Sequence, residues 1–171
     1  MISLISGSMS DNSNTKLLLE MIGENIRGKG GDVNIFSVRD LNLEMFTPDK
    51  PRNSNFQEKL NTICQSEAIV FGSPEYHGSF SGALKNFLDH LVIDDLKGIV
   101  VGIVSTSGSS YCGANTLNSL RIILRNFHTY TINRQLSLSE KELSNMNDHV
   151  KLKIHHFTEE LLNEISLRKR Y

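Results

Sequence analysis

The sequence predicts an α/β protein: a three-layer, doubly wound parallel sheet of five strands. Short apolar runs closed by Gly or Pro recur along the 171 residues, as in strands buried on both faces. Helix-length amphipathic segments separate them, so the strands are joined by crossovers rather than tight turns. No internal repeat, low-complexity tract or linker divides the chain, and a single domain over 1–171 is expected.

The first strand is the run from Ile2 to Ser6, ended by Gly7. Ser13, Asn14 and Thr15 are good helix caps, and Leu18, Met21, Ile22 and Ile26 make the stripe of a helix that ends at Gly28. Residues 33–38 form a second strand, with Val33, Ile35 and Val38 as core candidates. Pro48 and Pro51 mark 40–55 as a surface loop. Ser54 and Gln57 stand at capping-box spacing and open a helix to Ser66. A third strand, 68–72, stops at Pro74. The next helix carries Ala83, Leu84, Phe87, Leu88 and Leu91 on one face and Lys85, Asn86 and Asp89 on the other. Residues 98–105 are a charge-free fourth strand, Leu117, Leu120, Ile123, Leu124 and Phe127 line a helix, and 130–132 suggest the fifth strand. Ser139 and Glu142 repeat the capping-box spacing ahead of an amphipathic helix with Ile154, Phe157, Leu161 and Ile165.

Composition narrows the function. The 18 Lys+Arg and 19 Asp+Glu nearly cancel, so a polyanion-binding surface has no excess of charge behind it. The one basic run, 167–171, reads as a solvated tail. Cys64 and Cys112 form no CxxC, which suits a reducing compartment. No stretch reads as a secretory signal or a membrane span, so a cytoplasmic location is expected. The histidines form no HExxH set, no GxSxG elbow follows a strand, and Cys112 lacks the CxxxxxR spacing of a phosphatase loop. No metal site is expected. Arg121 and Arg125, spaced i, i+4 opposite the apolar stripe, read as solvated; Lys85 and Asp89 share that spacing, with an oligomer interface as the sharper reading.

Ligands of a doubly wound sheet bind beyond the carboxyl ends of its strands. Three such loops have unusual chemistry. The first, 6–15, crowds serines, two asparagines and Thr15 into the start of a helix, whose unpaired N–H groups attract an anion. No Lys or Arg precedes Lys16 and GxGxxG is absent, so neither a Walker loop nor a dinucleotide turn fits. N–H and O–H donors alone suit a single terminal phosphate, the kind a flavin mononucleotide carries; a well-capped helix with a polar loop is the plain alternative. The second loop, 72–82, stiffened by Pro74, brings Glu75, Tyr76 and His77 to a strand end, where the rings can flank a flat ligand. The plain alternative is a turn before a helix capped by Ser79 or Ser81. The third, 105–113, repeats the hydroxyl-and-glycine character with Tyr111.

Together these loops resemble the NADPH-dependent FMN reductase family, through Gly7-Ser8 with Ser13-Asn14-Thr15 and, more specifically, through the run from Ser73-Pro74-Glu75-Tyr76 to Lys85-Asn86-Phe87-Leu88-Asp89. The resemblance spans roughly the first 130 residues. It implies a flavodoxin-like fold of strand order 2-1-3-4-5 and bound FMN. Ser8, Ser10, Ser13, Asn14 and Thr15 would hold the phosphate. Pro74, Glu75, Tyr76 and His77 would lie under the ring, and Ser107, Gly108, Ser109 and Tyr111 would touch it. Where the family commonly has Arg two residues after Gly-Ser, this chain has Ser10; where it has Asn after Glu-Tyr and Pro before the next helix, this chain has His77 and Ser81.

The activity implied is hydride transfer from NADPH or NADH through FMN to a small acceptor: free flavin, quinone, azo compound or metal oxyanion. Catalysis is flavin-centred with no protein acid or base required, although His77 stands where it could protonate an acceptor. One open ring face implies ping-pong kinetics, and the resemblance implies a homodimer or homotetramer. The competing class is a non-enzymatic flavin module, either an electron carrier or a redox-responsive binding protein. A domain whose serine loops only cap helices is a third.

Overall fold

The structure, a computed structural model, describes residues 1–52, 54–108 and 113–169. In chain order the elements are β1 (Ile2–Ser6), α1 (Asn14–Arg27), β2 (Val33–Ser37), α2 (Ser54–Cys64), β3 (Ala68–Tyr76), β4 (Ser79–Phe80), α3 (Gly82–Asp89), α4 (Ile93–Leu96), β5 (Val100–Ser107), α5 (Ala114–Asn126), β6 (Tyr130–Thr131), β7 (Leu136–Ser139), α6 (Glu140–Ser144) and α7 (Asp148–Arg168).

Parallel pairing runs β2-β1-β3-β5, with β6 and β7 both against the far side of β5. This is the expected 2-1-3-4-5 path with its outer strand divided: β6 meets Val100 and Val101, and β7 meets 104–107. Alternation sorts the strands' side chains onto two faces. Leu4, Val70 and Val104 pack with α1 and α7; Ile5, Phe71 and Ile103 pack with α2, α3 and α5. Both faces are covered, as a parallel sheet requires. A Cβ on Gly102 would stand 2.7 Å from Cζ of the fully buried Phe157, so the missing side chain on β5 is the socket for α7's largest ring.

Four details depart from expectation. The third strand does not stop at Pro74 but runs on to Tyr76. The Gly72 carbonyl faces β1, where it accepts from Gly7 N–H, so Pro74, two residues on, faces the same side beyond the end of β1. Its missing N–H therefore breaks no ladder bond. Second, α2 includes Ser54, and Gln57 bonds Asn61 and Arg52 instead of completing a capping box. Third, Arg121 is not solvated. Its guanidinium donates to the carbonyls of Thr131, Ile132 and Asn133, bracketing the link between β6 and β7. Fourth, the basic tail is engaged: Arg168 lies 3.3 Å above the Tyr130 ring centroid, and Lys169 pairs with Glu67 at 2.7 Å.

A hydroxyl-lined cleft at the carboxyl end of the sheet

The winding reverses between β1 and β3, and a cleft of about 210 Å³ opens beyond their carboxyl ends. Ser8, Ser10, Asn12, Ser13, Asn14 and Thr15 line one side; Pro74, Glu75 and Tyr76, with Thr106, Ser107 and Gly108, line the rest. The structure thus brings together ten of the residues singled out in the sequence. Ser109 and Tyr111 lie outside the described residues. His77 is not in the lining: it is exposed at the hairpin tip, with φ +52 beside Gly78 at φ +77. Positive φ at both central residues is the signature of a type I′ turn, which favours Asn and tolerates His. The turn by itself accommodates His at this position.

The loop after β1 is shaped by its own hydroxyls. Ser8 N–H donates to Ser6 Oγ at 3.5 Å, Ser10 N–H to Ser8 Oγ at 3.2 Å, and Lys16 N–H to the N-cap Ser13 Oγ at 3.0 Å. Each of these oxygens accepts from the backbone, and the two that line the cleft, of Ser8 and Ser13, keep their own protons free to donate. No acid stands in the first turn of α1, and the Asn14 and Thr15 N–H groups precede the first intrahelical bond, made by Leu17 N–H to the Ser13 carbonyl. Thr15 Oγ1 lies 2.6 Å from Thr106 Oγ1, both buried, which ties the start of α1 to β5. Thr106 and Asn12 were not among the residues picked from sequence. Asn12 sat inside a loop already flagged, whereas the Thr15–Thr106 bond joins residues 91 apart and left no local signal.

The second loop is braced from behind. Ser73 Oγ donates to the Pro74 carbonyl at 2.9 Å and accepts Ser81 N–H at 2.9 Å. Ser81, rather than Ser79, caps α3: its Oγ accepts Leu84 N–H at 3.1 Å and donates to the Gly7 carbonyl at 2.5 Å. One residue thus fastens all three: its N–H the hairpin, its hydroxyl the helix and the loop after β1.

The third wall depends on a cap supplied from elsewhere. Gly113, the N-cap of α5, has φ +110, and a Cβ there would fall 1.9 Å from Ser137 Oγ. Only Gly fits, and Gly offers no capping side chain. Glu75 of β3 supplies it, its carboxylate accepting Thr116 N–H at 3.1 Å. Elsewhere, burial and the Asp95 charge push the Cys64 thiol up to about 11, against a smaller opposing pull from Arg52, so it stays protonated and inert.

A doubly wound parallel sheet with a hydroxyl and N–H anion loop at its switch point defines a flavodoxin-like mononucleotide-binding protein. Residues 1–142 match the family described as NADPH-dependent FMN reductase, and the chain belongs to that family. It is an oxidoreductase enzyme with FMN and NADPH as its cofactors, which sets aside the non-enzymatic carrier. It is 32% identical over 151 residues to an FMN-dependent NADPH-azoreductase of Staphylococcus haemolyticus, covering 85% of this chain and 80% of that one. The corresponding Staphylococcus saprophyticus protein is 29% identical over the same shares. Among solved structures, the apo form of an NADH:FMN oxidoreductase (EmoB) superposes with TM-score 0.72 and 25% identity, over 92% of this chain and 87% of that one. An oxidoreductase from Corynebacterium diphtheriae shares the fold with TM-score 0.78 and 19% identity, over 96% of each chain.

The cleft suits FMN on its own chemistry. Hydroxyl donors with a spare proton and a helix start without an acid favour a phosphate, and the exposed Tyr76 beside Pro74 offers flat surface next to it.

Proposed function

We propose that this chain takes reducing equivalents from NADPH or NADH and delivers two electrons to a small acceptor: free flavin, a quinone, an azo compound or a metal oxyanion. The observation that carries the reading is the single open cleft joining the anion loop to the Pro74 hairpin. When bound, FMN supplies reversible hydride and electron chemistry. The chain's residues do the rest. Ser8, Ser10, Ser13, Asn14 and Thr15 hold the phosphate through O–H and N–H donors; Pro74, Glu75 and Tyr76 support the ring; Ser107, Gly108, Ser109 and Tyr111 border it. Backbone N–H groups of the loop after β5, from Gly108 onward, would stabilise negative charge at the pyrimidine edge. His77 stays at the rim.

One open face is shared in turn by donor and acceptor, so nicotinamide leaves before the acceptor enters and the kinetics are ping-pong. The azoreductase activity of the staphylococcal relatives makes azo compounds the first acceptors to test. The chain acts as one cytoplasmic domain over 1–171 and pairs as a homodimer or homotetramer through the helix carrying Lys85 and Asp89. No helix among the described residues is long and apolar enough to cross a membrane.

The test is spectroscopic, then kinetic. Purified protein is expected to be yellow or to take up added FMN, and anaerobic NADPH is expected to bleach it. Initial rates at several azo-dye and NADPH concentrations are expected to give parallel reciprocal plots. Intersecting plots would remove the ping-pong order, and colourless protein that ignores FMN would remove the whole reading.

A further inference from the structure

The anion loop contains an acid. Asp11 stands between the cleft-lining Ser10 and Asn12, where a bare carboxylate repels a phosphate. The chain meets it from the neighbouring strand. Val38 N–H donates to the Ser6 carbonyl at 2.9 Å, which runs the residues after β2 alongside the root of the loop. The guanidinium of Arg39 pairs there with the Asp11 carboxylate. Arg39 is 39% exposed and Asp11 82%, and a pair so open to water is weak. A phosphate dianion offers the same planar fork a stronger, bidentate partner. The loop itself brings no cation before Lys16.

Resting on the reading of this cleft as a phosphate site, the geometry points to Arg39 as the cation that recognises a phosphate monoester here, released by Asp11 as the dianion arrives. Two monoesters meet this protein: the terminal phosphate of FMN and the 2′-phosphate of NADPH. The arginine is borrowed from the turn after β2, and Asp11 holds it beside the loop.

Flavin-free protein titrated with FMN and with riboflavin, followed by flavin fluorescence, isolates the phosphate; initial rates with NADPH and NADH isolate the 2′-phosphate. Arg39→Gln is expected to weaken FMN roughly ten- to hundredfold while leaving riboflavin unchanged. Asp11→Asn is expected to tighten FMN, again without effect on riboflavin. If instead Arg39→Gln raises KM for NADPH but not NADH, with FMN binding intact, the proposal stands with the nicotinamide phosphate as the ligand. Unchanged FMN affinity together with an unchanged NADPH-to-NADH ratio in Arg39→Gln overturns it, as does weaker FMN binding in Asp11→Asn. Wild-type protein that binds neither flavin fails the reading of the cleft, a result distinct from a wild type that binds FMN regardless of Arg39.

Discussion

Ser81 is the residue on which the most local order converges. Its hydroxyl caps α3 and holds the Gly7 carbonyl, while its N–H is held by Ser73. Ser81→Ala keeps the last of these and removes the first two. We expect a loss of about 1–3 kcal/mol in urea unfolding, with FMN bound more weakly because the anion loop loses an anchor. A variant as stable as wild type would show that Gly7 needs no support from α3. The three loops were legible because hydroxyls, glycines and Pro74 are clustered along the chain. The bonds that turn those loops into one site were not. Thr15 to Thr106 and Glu75 to Thr116 span 91 and 41 residues, and only the register of the sheet decides that they meet. His77 shows the same limit: sequence put it in the loop, and its positive φ, which sets it at the tip of the hairpin, left no local signal.

At the scale of elements, hydrophobic spacing marked the major helices and all five sheet positions, because periodicity depends only on which side is buried. What it missed depends on neighbours. Pro74 ends a strand only if its missing N–H faces a partner, and β1 is too short to be that partner. The fit of β5 to α7 gives a sharp test. Gly102→Ala is expected to destabilise by roughly 1–3 kcal/mol, because Phe157 Cζ occupies the space, and Phe157→Leu in the same chain should recover part of that loss. Additive losses in a double-mutant cycle would show that the two do not touch in solution. The capping box of α6 carries its own signature. Burial alone would raise the Glu142 carboxyl, but Lys153 and the Ser139 N–H and hydroxyl outweigh it and hold the group down to about 2, against an ordinary 4.5. A depressed carboxylate stabilises the fold fully above its unfolded value, and that contribution is lost as pH falls from 4.5 towards 2. Urea midpoints across this window are expected to fall less steeply in Glu142→Gln than in wild type; parallel profiles would assign the acid sensitivity to other carboxylates.

For the whole molecule, the family match ends at residue 142, yet the described chain continues into α7. Val150, Ile154, Phe157, Leu161 and Ile165 are all buried against the sheet face that also packs α1. Without α7 the part of that face not covered by α1 would lie open, so a chain ending at Ser144 is expected to lose its cooperative thermal transition and its flavin together. Retention of both would make α7 an accessory. FMN should in turn stabilise the intact fold, by about 2.7 kcal/mol at a hundredfold excess over Kd.

The Arg121 bracket has one more consequence. An outermost strand normally offers a continuous row of backbone groups on which a foreign strand can grow. Here that row is interrupted between β6 and β7, and three successive carbonyls at the break already accept from one guanidinium. Freeing those carbonyls in Arg121→Ala is expected to raise aggregation on mild heating, read by light scattering; a variant that scatters no more than wild type would show that the break in the strand suffices.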